Sequence, residues 1–139
     1  MKLDYELEMQ VRDYECDIQG IVNNAIYQHY LEHCRHCFLQ SVGLDFARLH
    51  RTGIDPVVIR AEIDYKYPLR PGDKFIVTLK LAKQGALRLV FLQQIMRKND
   101  KKLAINARIT TVLTRNGKPI RPDSLAEKFA AAGIFPIEI

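Results

Sequence analysis

The chain has 139 residues, 47% of them apolar, which suffices for one domain with a core that needs no disulfide or metal staple and excludes global disorder. Its 21 Lys and Arg against 16 Asp and Glu give a formal +5, but the charge is segregated: residues 1–65 carry 6 basic and 11 acidic side chains, residues 66–139 carry 15 and 5. A basic half on an otherwise acidic chain points to phosphate, nucleic acid or membrane headgroups as partners.

Leu3, Tyr5, Leu7, Met9 and Val11 alternate with charged and polar residues, the period of a half-buried strand. Asp13 to Gly20 is polar and reads as a loop. Asn23 or Asn24 can cap the helix that follows, which runs to about Val42 and stops at Gly43. Along it Tyr27, Leu31, Cys34 and Phe38 recur at helical spacing, with Tyr30, Cys37 and Ser41 beside them, so one broad face is apolar. After a short helical piece over 44–51, four strands are expected at 56–67, 74–83, 87–98 and 102–114. The turns between them, at 71–73, 84–85, 99–100 and 116–117, are marked by Gly, Pro, Asn and Asp and are short enough for antiparallel neighbours. Ser124 and Glu127 have capping-box spacing before an Ala-rich helix ending at Gly133. One long helix against about five antiparallel strands must pack on a single curled sheet that wraps it, an α+β architecture in one domain over residues 1–139.

No stretch approaches the roughly 20 apolar residues of a membrane span. Met1 to Gln10 lacks the apolar core of a signal peptide, so a cytoplasmic address is expected. Cys16, Cys34 and Cys37 are odd in number, and two lie within the helical pattern; they are expected to be reduced thiols.

The stretch from Asp17 to Tyr27, Asp-x-x-Gly-x-Val-Asn-Asn-x-x-Tyr, is followed on the helix by Glu32 and Arg35 as Glu-x-x-Arg. In these residues the chain resembles the hotdog-fold acyl thioesterases of the 4-hydroxybenzoyl-CoA thioesterase type. The strand-rich half is similar to that family as well, more loosely. The resemblance implies a hotdog fold, hydrolysis of acyl-coenzyme A or acyl carrier protein thioesters, no cofactor and no metal. It implies a homodimer or homotetramer whose sheets join edge to edge, with sites at the interface. It assigns Asp17 as general base or nucleophile. Asn24 at the helix start is the candidate companion, and Gly20, Val22, Asn23, Tyr27 and Arg60 are candidates for substrate binding, with Tyr27 read as core more than as chemistry and Arg60 as one of several basic residues for phosphate. Asn24 stands where relatives often carry His or Tyr, but its backbone N–H can serve whatever its side chain does.

Elementary chemistry gives the motif a meaning of its own. A loop carboxylate just before a long helix lies near unpaired backbone N–H groups carrying about half a positive charge. Such N–H groups can hold a thioester carbonyl and its developing oxyanion, while the carboxylate deprotonates water or attacks the carbonyl, and the thiolate leaves readily. The same Asp-x-x-Gly residues also suit a plain type I turn, and Asn a plain helix cap. Glu32 and Arg35 can form a surface ion pair or a wall of the site.

His29-Tyr-Leu-Glu32-His33, with Cys34, His36 and Cys37 nearby, matches an inverted zinc-peptidase pattern. Short patterns recur by chance, and the thiols fall on the apolar face, so buried thiols and solvated histidines are expected. Arg60, Lys66, Arg70, Lys74, Arg88, Arg97, Lys98, Lys101 and Lys102 are candidates for the phosphates of coenzyme A. Nucleic acid is not expected as a partner, because the chain has no basic run, RNP-like aromatic ladder or recognition-helix signature. A non-catalytic acyl-coenzyme A-binding module is the alternative reading.

Overall fold

The computed structural model describes residues 2–139. The elements in chain order are β1 (Tyr5–Gln10), α1 (Asn24–Ser41), α2 (Phe46–Arg51), β2 (Ile54–Tyr65), β3 (Lys74–Gln84), β4 (Arg88–Arg97), β5 (Leu103–Arg115), β6 (Lys118–Ile120), α3 (Asp123–Ala131) and β7 (Ile137–Glu138), with a 3-10 turn at Asp13–Glu15. The strands form one curled, unclosed sheet in the order β1-β3-β4-β5-β2; β6 pairs with β5, and β7 runs parallel to β3. The fold is thus α+β with a long helix on an antiparallel sheet. Seven strands stand in place of the expected five, the additions being only three and two residues long.

One connection differs from the sequence expectation. The Pro-Gly-Asp turn at 71–73 does not join neighbouring strands: β2 pairs with β5, and β3 lies between β1 and β4. Residues 66–73 therefore cross the end of the sheet. They are tied down by backbone bonds from Lys66 N–H to Ala104 O (2.8 Å) and from Val11 N–H to Asp73 O (2.9 Å). A short polar connection is equally able to cross a sheet end or to close a hairpin, so its length did not distinguish the two.

α1 begins as its sequence dictates. Asn23 is the N-cap, its side chain accepting the Ala25 N–H at 3.0 Å. Gly43, with φ +83°, ends it: its N–H reaches Gln40 O at 3.0 Å and Leu44 N–H reaches Leu39 O at 2.9 Å. The buried face is Tyr27, Tyr30, Leu31, Cys34, Phe38 and Leu39, as the spacing requires, with Cys37 only half-buried beside it. It packs on β3 and β1. Phe38 stacks on Phe129 of α3 at 6.0 Å, and Tyr30 meets Phe75 of β3 at 4.6 Å. The Ser124–Glu127 capping box does not form: Pro122 precedes α3 without a side-chain cap, and Ser124 lies within its first turn, where Asp123 meets the positive end of the helix.

Candidate active site

Between β1 and α1 the chain folds into a compact loop held from both sides. Cys16 and Val22 form an isolated antiparallel bridge. Within it, Asp17 N–H donates to Ile21 O at 2.8 Å and Gly20 N–H to Asp17 O at 3.0 Å. The carboxylate of Asp17 turns back on the loop, Oδ1 accepting the Gln19 N–H at 2.8 Å and the Ile21 N–H at 3.4 Å. Both bonds use Oδ1; among the described residues Oδ2 has no hydrogen-bond partner. Gly20 has φ +76° with open space where a Cβ would stand, so its conformation and not crowding requires glycine.

Glu15 fixes this loop to the helix, a role that sequence reading did not assign. Its carboxylate Oε1 accepts the Arg12 N–H at 2.7 Å and the Tyr30 hydroxyl at 2.8 Å, and its carbonyl accepts the Asn23 N–H at 3.1 Å. Burial and the Glu15 carboxylate push the Tyr30 phenol well above its ordinary range. The x-x-x-Glu spacing from Arg12 to Glu15 is the only local trace of this clamp in the sequence.

The helix start can be accounted for donor by donor. Of the first four N–H groups, Asn23 donates to Glu15 O, Ala25 to the Asn23 side chain and Ile26 to Asn23 O. Among the described residues, the one left without a protein acceptor is the Asn24 N–H. Tyr65, at the end of β2, closes over this point: its hydroxyl donates to Asn24 O at 3.4 Å, and its ring meets Tyr27 edge-on at 5.8 Å. Tyr27 is buried, its hydroxyl accepting the Leu69 N–H at 3.0 Å; Leu69 O in turn accepts the Val22 N–H at 2.9 Å. The crossing connection thus forms the floor of the loop.

Asp17, Gly20, Val22, Asn23 and Asn24 are gathered in one turn and helix start, with Tyr27 one helical turn further in. Arg60 stands apart on β2, exposed and paired with Glu62 at 2.6 Å. Glu32 and Arg35 do not form an ion pair. Arg35 reaches across the helix–sheet interface instead, its Nη1 donating to Gln93 Oε1 at 3.1 Å, and burial lowers its pKa from the ordinary value. Of the proposed zinc-type residues, Cys34 is buried against Val77 O at 3.9 Å, while His29, His33 and His36 are exposed. Among the described residues no three His, Cys, Asp or Glu side chains come together to hold a metal.

Basic side chains gather at the same end of the sheet. Lys66 and Arg70 lie on the crossing connection, Lys74 opens β3, and Lys101 and Lys102 lie in the β4–β5 turn. Arg97 and Lys102 both sit over the Tyr67 ring at 4.7 Å. Arg97 is neutralised by Asp100 and Asp73, and Lys98 by Glu8 at 2.6 Å. Among the described residues Lys66, Arg70, Lys74, Lys101 and Lys102 have no carboxylate in ion-pair range. No helix is long and apolar enough to cross a membrane among these residues.

Such a helix, sheet and helix-start loop define a hotdog-fold protein. Residues 11–133 match the Thioesterase-like superfamily, and the chain belongs to it. It is 35% identical over 127 residues, 90% of this chain and 67% of the relative, to a chloroplastic acyl-acyl carrier protein thioesterase of Arabidopsis thaliana. A second such thioesterase of that plant is 34% identical over 86% of this chain; the chain spans 67% and 64% of the lengths of these two relatives. Among solved structures, a hypothetical protein from Aquifex aeolicus superposes with a TM-score of 0.82 at 28% identity, covering 89% of this chain and 98% of its own. The 1,4-dihydroxy-2-naphthoyl-CoA thioesterase from Synechocystis has a TM-score of 0.83 at 21% identity over 92% of this chain and 93% of its own, a likeness of fold.

Proposed function

We propose that this chain, as a single domain over residues 1–139, hydrolyses the thioester between an acyl group and a phosphopantetheine-bearing carrier, coenzyme A or acyl carrier protein. The observation that carries this reading is the pairing of a loop carboxylate with one free helix-start donor: Asp17 beside a helix whose sole unbonded early N–H belongs to Asn24. The carbonyl oxygen accepts the Asn24 N–H, which gains strength as the oxyanion develops at the positive end of α1. Asp17 acts through Oδ2, either taking a proton from water or adding to the carbonyl carbon to give a mixed anhydride that water then cleaves. Either route releases the thiolate, which is stable enough to leave without an acid. Gly20 and Val22 shape the loop, Asn23 caps the helix, and Tyr27 anchors the floor beneath the thioester.

The unpaired lysines and arginine at the sheet end support an anionic carrier, because phosphate oxygens are bound by such side chains. Arg60 lies on the open edge strand, where it can reach a carrier only in an assembly. That edge supports self-association: β2 is twelve residues long, has no partner on its outer side, and exposes Val57, Val58 and Ile59 at 42%, 48% and 49%. We infer a homodimer or homotetramer built across β2.

A second reading, acyl-thioester binding without hydrolysis, is favoured by one fact: the Asp17 carboxylate already serves its own turn. Thiol release from acyl-coenzyme A and acyl carrier protein esters, followed with a thiol-reactive dye, separates the two. The expected result is turnover that falls at least about 100-fold in Asp17→Ala. Full activity in that variant removes Asp17 from the mechanism, and binding without thiol release establishes the second reading.

A further inference from the structure

α1 lies over β3 and β1, so the half of the sheet formed by β5 and β2 faces a groove and not the helix. The groove has two parts. The nearer cleft, of about 360 Å³, begins at Ala25, adjacent to the Asn24 donor, and is walled by Leu31, Val58, Ala61 and Ile109. The farther one, of about 460 Å³, lies beneath α2 and ends on Leu39, Leu44, Phe46, Leu113 and Leu125. Glu32, Arg35 and Val58 line both, so the two clefts adjoin along α1.

We propose that this groove is the acyl-binding site and that its far chamber selects a long fatty acyl chain, an inference that rests on the thioesterase reading above. Three observations carry it. The first is length: Ala25 to Leu39 is fourteen helical steps, about 21 Å along the axis, the reach of a long-chain acyl group and far more than an acetyl or benzoyl group fills. The second is polarity. Gln28, His29, Glu32 and Arg35 lie along the near part, while the far part, which also carries His36, His50, Asp55 and Thr111, is lined mostly by aliphatic and aromatic side chains, matching a chain whose polar end is the thioester. The third is Arg35, the one arginine or lysine on the lining of the groove. Its guanidinium is drawn to the sheet by Gln93, which is almost fully buried and itself anchored by donation to Leu31 O at 3.1 Å, and it lies 6.0 Å over the Phe91 ring. Held against β4 in this way, the guanidinium keeps its charge, but its Nη1 is directed at Gln93 and not along the path of the chain. Each methylene carried into the chamber leaves water for apolar surface, so affinity rises with chain length until the floor is met.

Ala47 is an exposed residue of α2 on the chamber lining, where a large side chain fills the space without entering the core. The test compares acetyl-, octanoyl- and palmitoyl-coenzyme A as substrates for the native protein and for Ala47→Trp, and measures binding of free palmitate to both by calorimetry. The native protein is expected to prefer palmitoyl to acetyl at least tenfold in kcat/KM. Ala47→Trp is expected to lower the palmitoyl-to-octanoyl ratio at least tenfold and to weaken palmitate binding by a similar factor. An unchanged ratio, equal use of acetyl and palmitoyl, or native protein that hydrolyses thioesters but does not bind palmitate overturns the chamber. Palmitate binding that is lost in Ala47→Trp, in a protein that hydrolyses no thioester, upholds the chamber and overturns the thioesterase reading instead.

Discussion

The Tyr30 hydroxyl donates to the Glu15 carboxylate at 2.8 Å, joining the middle of α1's buried face to the loop that carries Asp17. Removing the hydroxyl leaves a partly buried carboxylate short of a donor. Tyr30→Phe is therefore expected to cost about 1–3 kcal/mol of stability, read from urea unfolding. Because the loop loses its anchor, kcat for thioester cleavage should fall more than KM changes, whereas a purely structural role would leave kcat of the folded fraction intact.

Gly20 offers a finer test of the same loop. Its φ of +76° strains any residue with a Cβ, although no neighbour would touch the new atom. Gly20→Ala is expected to destabilise by about 1–2 kcal/mol and, by shifting the turn that holds Oδ1 of Asp17, to lower kcat. Gly20→Asn, which tolerates left-handed backbone better, should recover part of both. Equal losses in the two variants would show that backbone conformation is not the cause.

Alkaline pH should unfold the protein through groups that the core keeps neutral. Burial lifts the Cys34 thiol from its ordinary 9.0 to about 12, and burial with Glu15 lifts the Tyr30 phenol above its ordinary 10.0. The unfolded chain releases these protons near the ordinary values while the folded chain retains them, so rising pH favours unfolding. Their contribution is complete below 9.0 and is lost progressively as pH climbs toward the raised values. Each group adds a slope of at most about 1.4 kcal/mol per pH unit. Urea midpoints measured across the alkaline range should decline, and less steeply in Cys34→Ala.

Asp4 secures the edge of the sheet. Its Oδ2 accepts the Leu81 N–H at 2.7 Å and its Oδ1 faces Lys80 Nζ at 3.3 Å, the two side chains being 7% and 11% exposed. Asp4→Ala strands both a buried cation and a backbone donor, and about 3 kcal/mol of stability should be lost. Asp4→Asn keeps an acceptor for Leu81 and should lose less in thermal unfolding.

The bare β2 edge predicts association. Val57→Lys combined with Ile59→Lys places charge on the outer strand and should shift the protein to monomer in sedimentation experiments, with thioester cleavage falling in parallel. Unchanged mass in the double variant would move the interface elsewhere.

Features set by neighbours in sequence were legible from sequence. A cap at Asn23 or Asn24, of which Asn23 is the one used, and Gly43 ending α1 follow local rules, and the apolar spacing from Tyr27 to Phe38 marked the buried face. The Asp17-to-Tyr27 run likewise marked residues that fold together as one turn and helix start. What distance in sequence hides was not legible. Nothing in residues 66–73 says that they cross the sheet instead of turning back, and the partner of β2 lies beyond two other strands. Glu15 finds Tyr30, and Arg35 leaves nearby Glu32 for Gln93, because tertiary packing brings better partners than the helix repeat does. β6 and β7 are too short to carry a period of two, and Pro122 rather than Ser124 begins α3.

The strand order β1-β3-β4-β5-β2 has a temporal consequence. β3, β4 and β5 are consecutive hairpins that close through short loops, so they can assemble early. β1 must find β3 across the whole of α1 and β2, as Tyr5 opposite Leu79 shows, and that closure is entropically dear and slow. The loop bearing Asp17 lies inside that late-closing segment, between β1 and α1. During refolding the sheet's circular dichroism signal should therefore return before thioester cleavage does, and a nascent chain should acquire a folded centre while the turn that carries Asp17 is still unformed.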